Sequence, residues 1–172
     1  MQIEQLGPND ALSLLPELVA LLVDAVENGA SIGFVPPFSP AEAEEYWQGV
    51  VAKLRTPHQR LFIARTDNQI IGSVQLALEP RPNGNHRGEV NKLLVHTAAR
   101  RRGVALALMQ ALEAEARRIG RTLLVLDTRV GDDAERLYLK LGFLRAGSIP
   151  NYARNGDGGL DPTMFMYKIL AA

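Results

Sequence analysis

The chain has 172 residues, enough for one domain with a sizeable core and too few for two ordinary ones. Apolar residues make up 47% and charged residues 22%, the balance of a globular protein rather than a disordered or fibrous one. Lysine plus arginine equals aspartate plus glutamate at 19 each, so no overall field draws the protein to nucleic acid or anionic membrane. The lack of cysteine excludes disulfides, thiolate metal sites and a cysteine nucleophile.

Gln2 to Leu6 alternates polar and apolar residues and predicts a short first strand. Leu12, Leu15, Val19, Leu22 and Val26 then fall on one helical face, with Asn9 or Asp10 as the cap and Asn28-Gly29 as the stop. Ala30 to Pro40 reads as a loop anchored by Ile32, Phe34, Val35 and Phe38. Ser39-Pro40-Ala41-Glu42 is a capping box that starts a second helix, running to about Leu54. A hairpin follows, Arg60 to Thr66 and Ile70 to Leu78, with its turn at Asp67-Asn68. After a polar loop comes the strand Gly88 to Val95, then a helix from Gly103 to Ile119 stopped by Gly120. Leu123 to Leu126 has the uninterrupted apolar character of a central strand. Asp132 or Asp133 caps a last helix ending at Gly142, and Phe143 to Ile149 and Thr163 to Leu170 close the chain as strands. This order predicts an α/β fold, a mixed sheet with helices on its faces. The segment Met1 to Leu6 lacks a basic stretch followed by an apolar one, and no apolar run reaches spanning length, so cytoplasmic residence is the expectation.

The most informative stretch is the strand Glu89 to Val95 feeding, within a few residues, Arg100-Arg-Arg-Gly-Val-Ala105 at a helix start. The first helical N–H groups have no partner within the helix, the helix dipole favours an anion there, and Gly103 allows close backbone approach. Guanidinium groups of Arg100, Arg101 and Arg102 can add charge-assisted bonds to a pyrophosphate. A solvated basic helix start is the plainer reading of the same residues.

Arg100, Gly103 and Ala105 match the Q/R-x-x-G-x-G/A signature of the GNAT superfamily of acetyltransferases, which the chain resembles over nearly its whole length. Leu123 to Thr128 followed by Ala134, Tyr138 and Gly142-Phe143 resembles that family's second signature. The resemblance implies a mostly antiparallel twisted sheet of six to seven strands with about four helices, forming one acetyltransferase domain over residues 1–172. It implies a splay between the strands of Leu93–Val95 and Leu123–Thr128. Acetyl-CoA would be the co-substrate, its pantetheine along Leu93, Leu94 and Val95 and its pyrophosphate at Arg100 to Gly103 and at Val104, Ala105 and Leu106. Many members carry asparagine at the position of Gly131, whose side chain is absent here. Asn28 to Phe34, Glu89 to Val95, Leu126 to Thr128, Pro150 to Tyr152 and Asp161 to Thr163 are similar to the tabtoxin-resistance branch of the family, which acts on an amino-acid-like β-lactam.

Acetylating an amine needs a proton acceptor, a polarised thioester carbonyl and a group to meet the departing thiolate. Glu89 and Asp127 are the candidate bases or ammonium anchors, with an exposed strand residue and a turn acceptor as their plainer roles. Tyr138 is either a core aromatic or the group that meets the sulfur. An N–H near Leu94 or Val95 is the candidate for the carbonyl oxygen. Phe34, Trp47 and Tyr152 are candidate walls of the acceptor pocket, core packing being the first reading of Trp47. His58, His86 and His96 lack metal-ligand spacing, and no metal is expected. A small-molecule amine is the expected partner, without nucleic acid or membrane, and a homodimer is left open. Two other functions stand beside this one: a non-catalytic acyl-CoA binding domain, and a nucleic-acid module using Arg100 to Arg102 with Arg117, Arg118 and Arg121.

Overall fold

The structure is a computed structural model that describes residues 1–66 and 69–170, so the turn expected at Asp67-Asn68 lies outside the described residues. Seven strands form one sheet: β1 (Gln2–Leu6), β2 (Gln59–Thr66), β3 (Gln69–Leu78), β4 (Arg87–Val95), β5 (Leu123–Arg129), β6 (Leu144–Arg154) and β7 (Leu160–Ile169). Their order across the sheet is β1-β2-β3-β4-β5-β7-β6, and every neighbouring pair is antiparallel except β4 with β5. Among the described residues five α-helices pack on its faces: α1 (Pro8–Ser13), α2 (Leu15–Glu27), α3 (Pro40–Leu54), α4 (Val104–Arg118) and α5 (Asp133–Lys140). No helix among the described residues is long and apolar enough to cross a membrane.

The first predicted helix is two helices. Pro16 lies in the first turn of α2, where its missing N–H and fixed φ suit a start and cannot continue α1, so the chain breaks at Leu14. Asp10 is also no N-cap; it sits inside α1, its carboxylate accepting the Gly7 N–H at 3.4 Å. The capping box at α3 forms as read: Ser39 Oγ accepts the Glu42 N–H at 3.2 Å, and the Glu42 carboxylate accepts the Ser39 N–H at 2.8 Å. Both closing strands run longer than expected. Among the loop anchors, Phe38 is buried, Ile32 and Phe34 are half-buried, and Val35 is exposed.

Strand alternation divides the core in two. On one face Leu61 and Ile63 of β2 pack with Leu18, Leu22 and Trp47 beneath α1, α2 and α3. On the other, Phe62, Leu124, Leu126 and Met166 pack with Leu108, Leu112, Tyr138 and Phe143 beneath α4 and α5. With about 25 cal/mol gained per Å² of apolar surface buried, these two layers are the main favourable term holding the sheet in place.

Candidate active site

The seam between β4 and β5 organises the site. These strands pair only at Arg87↔Leu123, Gly88↔Leu124 and Glu89↔Val125. Beyond Glu89, β4 continues on β3 alone and β5 on β7 alone, so facing edges of backbone N–H and C=O groups are left without each other. A bulge in β4 widens the departure: its register with β3 moves from Gln75↔Asn91 to Ser73↔Leu94, which leaves an extra residue on β4, and Lys92 there takes φ +51°.

Glu89 and Asp127 flank this opening. Glu89 is the last β4 residue paired to β5, opposite Val125, and Asp127 stands two residues beyond Val125; period-two alternation puts both carboxylates on one face. Both are exposed. Leu124 and Leu126 occupy the other face, packed on the Tyr138 side of the core.

Tyr138 is 6% exposed, its ring 5.7 Å from that of Phe143. Burial raises its phenol well above the usual range, and the nearby carboxylates of Asp132 and Asp127 raise it further. Its hydroxyl makes no hydrogen bond to a described residue, so a buried structural hydrogen bond is not its role here.

The helix start downstream of β4 has an anion-ready backbone. Gly103 is the N-cap of α4 at φ +80°, offers no side chain to the first turn, and has open space where a Cβ would be. The N–H groups of Val104, Ala105 and Leu106 therefore lack intrahelical acceptors. Arg100 and Arg102 are exposed, whereas Arg101, at φ +62°, is ion-paired with Asp133 at 3.3 Å. The side chains of Leu94 and Val104 are buried in the two cores, so only their main chain faces the opening; Leu93, Val95 and Ala105 are half-buried and Leu106 is exposed.

Gly131 sits at φ +82° in the turn between β5 and α5 and donates its N–H to Glu135 at 2.5 Å. Glu135 is buried and also accepts from Arg145 at 2.7 Å; the Gly131 bond and then the Arg145 bond hold its carboxyl below the usual range. The turn leading into α5, the helix that carries Tyr138, is thus fastened from within.

A cavity of about 760 Å³ opens between Gly29–Pro36 and residues 153–157 at the end of β6 and in the turn after it, with Glu27, Arg129, Arg154 and Asp161 in its wall. Arg129 spans it, donating to the Gly29 carbonyl at 2.6 Å and reaching Asp161 at 3.5 Å. Phe34 lines this cavity. Trp47 does not: it is completely buried, edge-on to Tyr46 at 5.3 Å, and its indole N–H has no partner among the described residues. The α3 aromatic that meets Phe34 is Tyr46, 5.3 Å away, its hydroxyl bonded to the buried Gln75 at 2.8 Å and pushed up by burial to about 12. Tyr152 is exposed on β6 against Phe165 and falls outside the cavity wall.

Sequence reasoning missed Lys92. Its Nζ donates to the Ile32 carbonyl and lies 5.2 Å from the Phe34 ring centre and 5.8 Å from that of Tyr46. Among Arg87, Glu89 and Asn91 of the same strand, nothing in the sequence sets this lysine apart. Arg129 and Arg154 were missed as well, because only the fold brings them beside the Gly29–Pro36 loop. No group of three or more His, Cys, Asp or Glu residues able to hold a metal ion occurs among the described residues.

The model of the acetyltransferase (GNAT) family matches residues 18–143, more than half of the chain, and the protein belongs to that family. Its members use acetyl-CoA as co-substrate. An uncharacterized N-acetyltransferase from the hisH-hisA intergenic region of Azospirillum brasilense is 38% identical over 108 residues, which is 62% of this chain and 62% of that relative. The fold is also that of a ribosomal-protein-alanine N-acetyltransferase from Brucella melitensis, with TM-score 0.79 and 23% identity over 99% of this chain and 100% of that one. A protein described as an acetyltransferase from Salmonella typhimurium, solved with acetyl-CoA, gives TM-score 0.77 and 19% identity over 100% of this chain and 95% of that one.

Proposed function

We propose that the chain is a single-domain, acetyl-CoA-dependent N-acetyltransferase that moves an acetyl group directly to the primary amine of a small, amino-acid-like acceptor. One observation carries this reading: the carboxylates of Glu89 and Asp127 share a face at the β4–β5 opening, whose free β4 edge leads straight to the Gly103 helix start.

Acetyl-CoA, when bound, supplies the acetyl group and the sulfur leaving group. Main-chain groups of Leu93 and Val95 hold its pantetheine in the manner of an added strand. The N–H groups of Val104, Ala105 and Leu106 hold its pyrophosphate, with Arg100 and Arg102 adding charge. An N–H near Leu94 or Val95 polarises the thioester carbonyl. Asp127 or Glu89 anchors the acceptor's ammonium and takes its proton, since an ordinary amine with pKa of about 10.4 is protonated at neutral pH. Tyr138 meets the departing sulfur. Its raised phenol is a poor proton source for a thiolate whose conjugate acid has pKa of about 8.5, so a hydrogen bond to the developing charge is its main contribution.

The mixed charge of the acceptor cavity supports a zwitterionic amine over a polyanion, and the stretches similar to tabtoxin-resistance enzymes agree with such an acceptor. A thiol-release assay with acetyl-CoA over amino acids, polyamines, aminoglycosides, amino-acid-like toxins and peptide N-termini tests the proposal. Turnover of small amino-acid-like amines is expected. Tight acetyl-CoA binding with no thiol release across the whole panel would replace the reading by a non-catalytic acyl-CoA binding domain.

A further inference from the structure

Lys92 is out of place for a strand lysine. Its backbone is held at positive φ by the β4 bulge, and its ammonium is turned under the acceptor-side loop instead of into bulk water. Of three N–H donors, one is used on the Ile32 carbonyl, and the other two have no acceptor among the described residues. Two aromatic rings face it, and a Cβ at Gly33 would come within 3.1 Å of Nζ, so the ammonium is held in one place. Burial lowers its affinity for a proton, Asp127 opposes that effect and Lys53 adds to it, so all three charges act on one another.

Lys92 and Asp127 nevertheless form no direct ion pair. Asp127 lies on the face shared with Glu89, and Arg129 follows it by two residues on that face. Ile32, Gly33 and Phe34, which enclose Lys92, also line the cavity. Neither charge lines the cavity itself: the Lys92 ammonium, with donors to spare, adjoins the Ile32–Phe34 stretch of its wall, and the exposed Asp127 carboxylate acts on that ammonium from β5 without pairing with it. An α-amino acid carries the complementary arrangement, an ammonium and a carboxylate a few bonds apart.

We propose that Lys92 is a specificity-determining residue that binds the acceptor's carboxylate while Asp127 takes its ammonium, so that the enzyme selects α-amino acids over amines lacking an acid group. This rests on the acetyltransfer reading above. Lys53 makes the neighbourhood of Lys92 more positive and favours an anion there, while the Ile32 carbonyl holds Nζ in the free enzyme. A site built around a buried charged donor rejects a ligand that leaves it unpaired far more strongly than an apolar pocket rejects a missing methylene.

The test measures kcat/KM for α-amino acids, each paired with the amine that its decarboxylation would leave. Wild type is expected to prefer the acid-bearing member by about 10²-fold or more. Lys92→Met should collapse that ratio toward one with acetyl-CoA affinity retained, and Lys92→Arg should restore part of it. A wild type indifferent to the carboxylate, or a Lys92→Met enzyme with its preference intact, overturns the proposal. So does a variant that loses acetyl-CoA affinity and thermal stability together, because Lys92 would then be structural. Should Lys92→Met fail to fold, Lys92→Gln takes its place, keeping a donor for Ile32 and removing the charge. If wild type turns over no amine, the acetyltransfer reading fails by itself. Calorimetric titration of the same amino acids into the CoA-saturated protein then decides Lys92: binding lost in the variant supports the role, and equal or absent binding in both proteins overturns it.

Discussion

The two sides of the β4–β5 opening are built from different materials. On the side proposed for acetyl-CoA the parts are backbone: an unpaired β4 edge, a bulge, and a helix start whose cap is glycine at φ +80°. On the side proposed for the acceptor they are side chains drawn from separate stretches, Phe34, Tyr46, Lys92 and Asp127 in one group and Arg129, Arg154 and Asp161 along the cavity wall. A backbone site depends on local conformation and tolerates most side-chain changes. A side-chain site can be rewritten residue by residue while the donor cradle stays as it is, which is how one fold can serve many amines.

Substitutions on the two sides should therefore fail in different ways. Asp127→Asn is expected to lower kcat/KM for the amine by about 10²- to 10⁴-fold and leave acetyl-CoA affinity near wild type. If Glu89→Gln shows that loss and Asp127→Asn does not, the base moves to β4. Two wild-type rates would leave the proton to water.

Tyr138→Phe should cost about 10² in kcat with little change in thermal stability, because the hydroxyl has no protein partner to lose. Full turnover combined with a destabilised fold would return the residue to the core.

Gly103→Glu places like charge beside the pyrophosphate and forces a side chain into a left-handed backbone, so acetyl-CoA should bind about tenfold more weakly, or about 1.4 kcal/mol. Gly103→Asn, which accepts that backbone, should bind nearly as well as wild type. Calorimetry separates the two; equal weakening would make any side chain, charged or not, the obstacle.

A last effect, on stability rather than on binding or rate, concerns the turn between β5 and α5. Glu135→Gln should destabilise the fold by about 1 to 3 kcal/mol at neutral pH through loss of charged bonds to Gly131 and Arg145. Because the folded carboxyl titrates lower than the unfolded one, its contribution is present above the unfolded pKa of about 4.3 and disappears as pH falls through the folded value. Melting temperatures of wild type and variant should converge below about pH 4. A gap that persists into acid would assign the loss to packing.

The contrast also explains what could be read before folding. Gly103, the alternating strand ending at Val95 and the capping box at Ser39 are local signals, and each stands where its neighbours put it. The break at Leu14 was legible too, since Pro16, lacking an N–H, cannot continue the helical face that the spacing of Leu12 to Val26 suggests. The acceptor side was not legible in this way. Trp47 and Tyr46 are adjacent, and only the packing of α3 decides which of them turns to the core and which to the loop. Lys92 looks like a strand residue until a one-residue bulge redirects it, and no composition or spacing rule reports a bulge.

That β4 and β5 share three residue pairs gives the sheet a seam, closed otherwise by the core beneath α4 and α5. A ligand lying in the opening and bonding both edges would act as a suture, supplying cross-links that the protein leaves out. Its contribution to stability then grows with the logarithm of its concentration, about 2.7 kcal/mol at one hundred times the Kd. If acetyl-CoA lies there as proposed, the supply of thioester in the surroundings adds to how firmly the two halves of the sheet are joined.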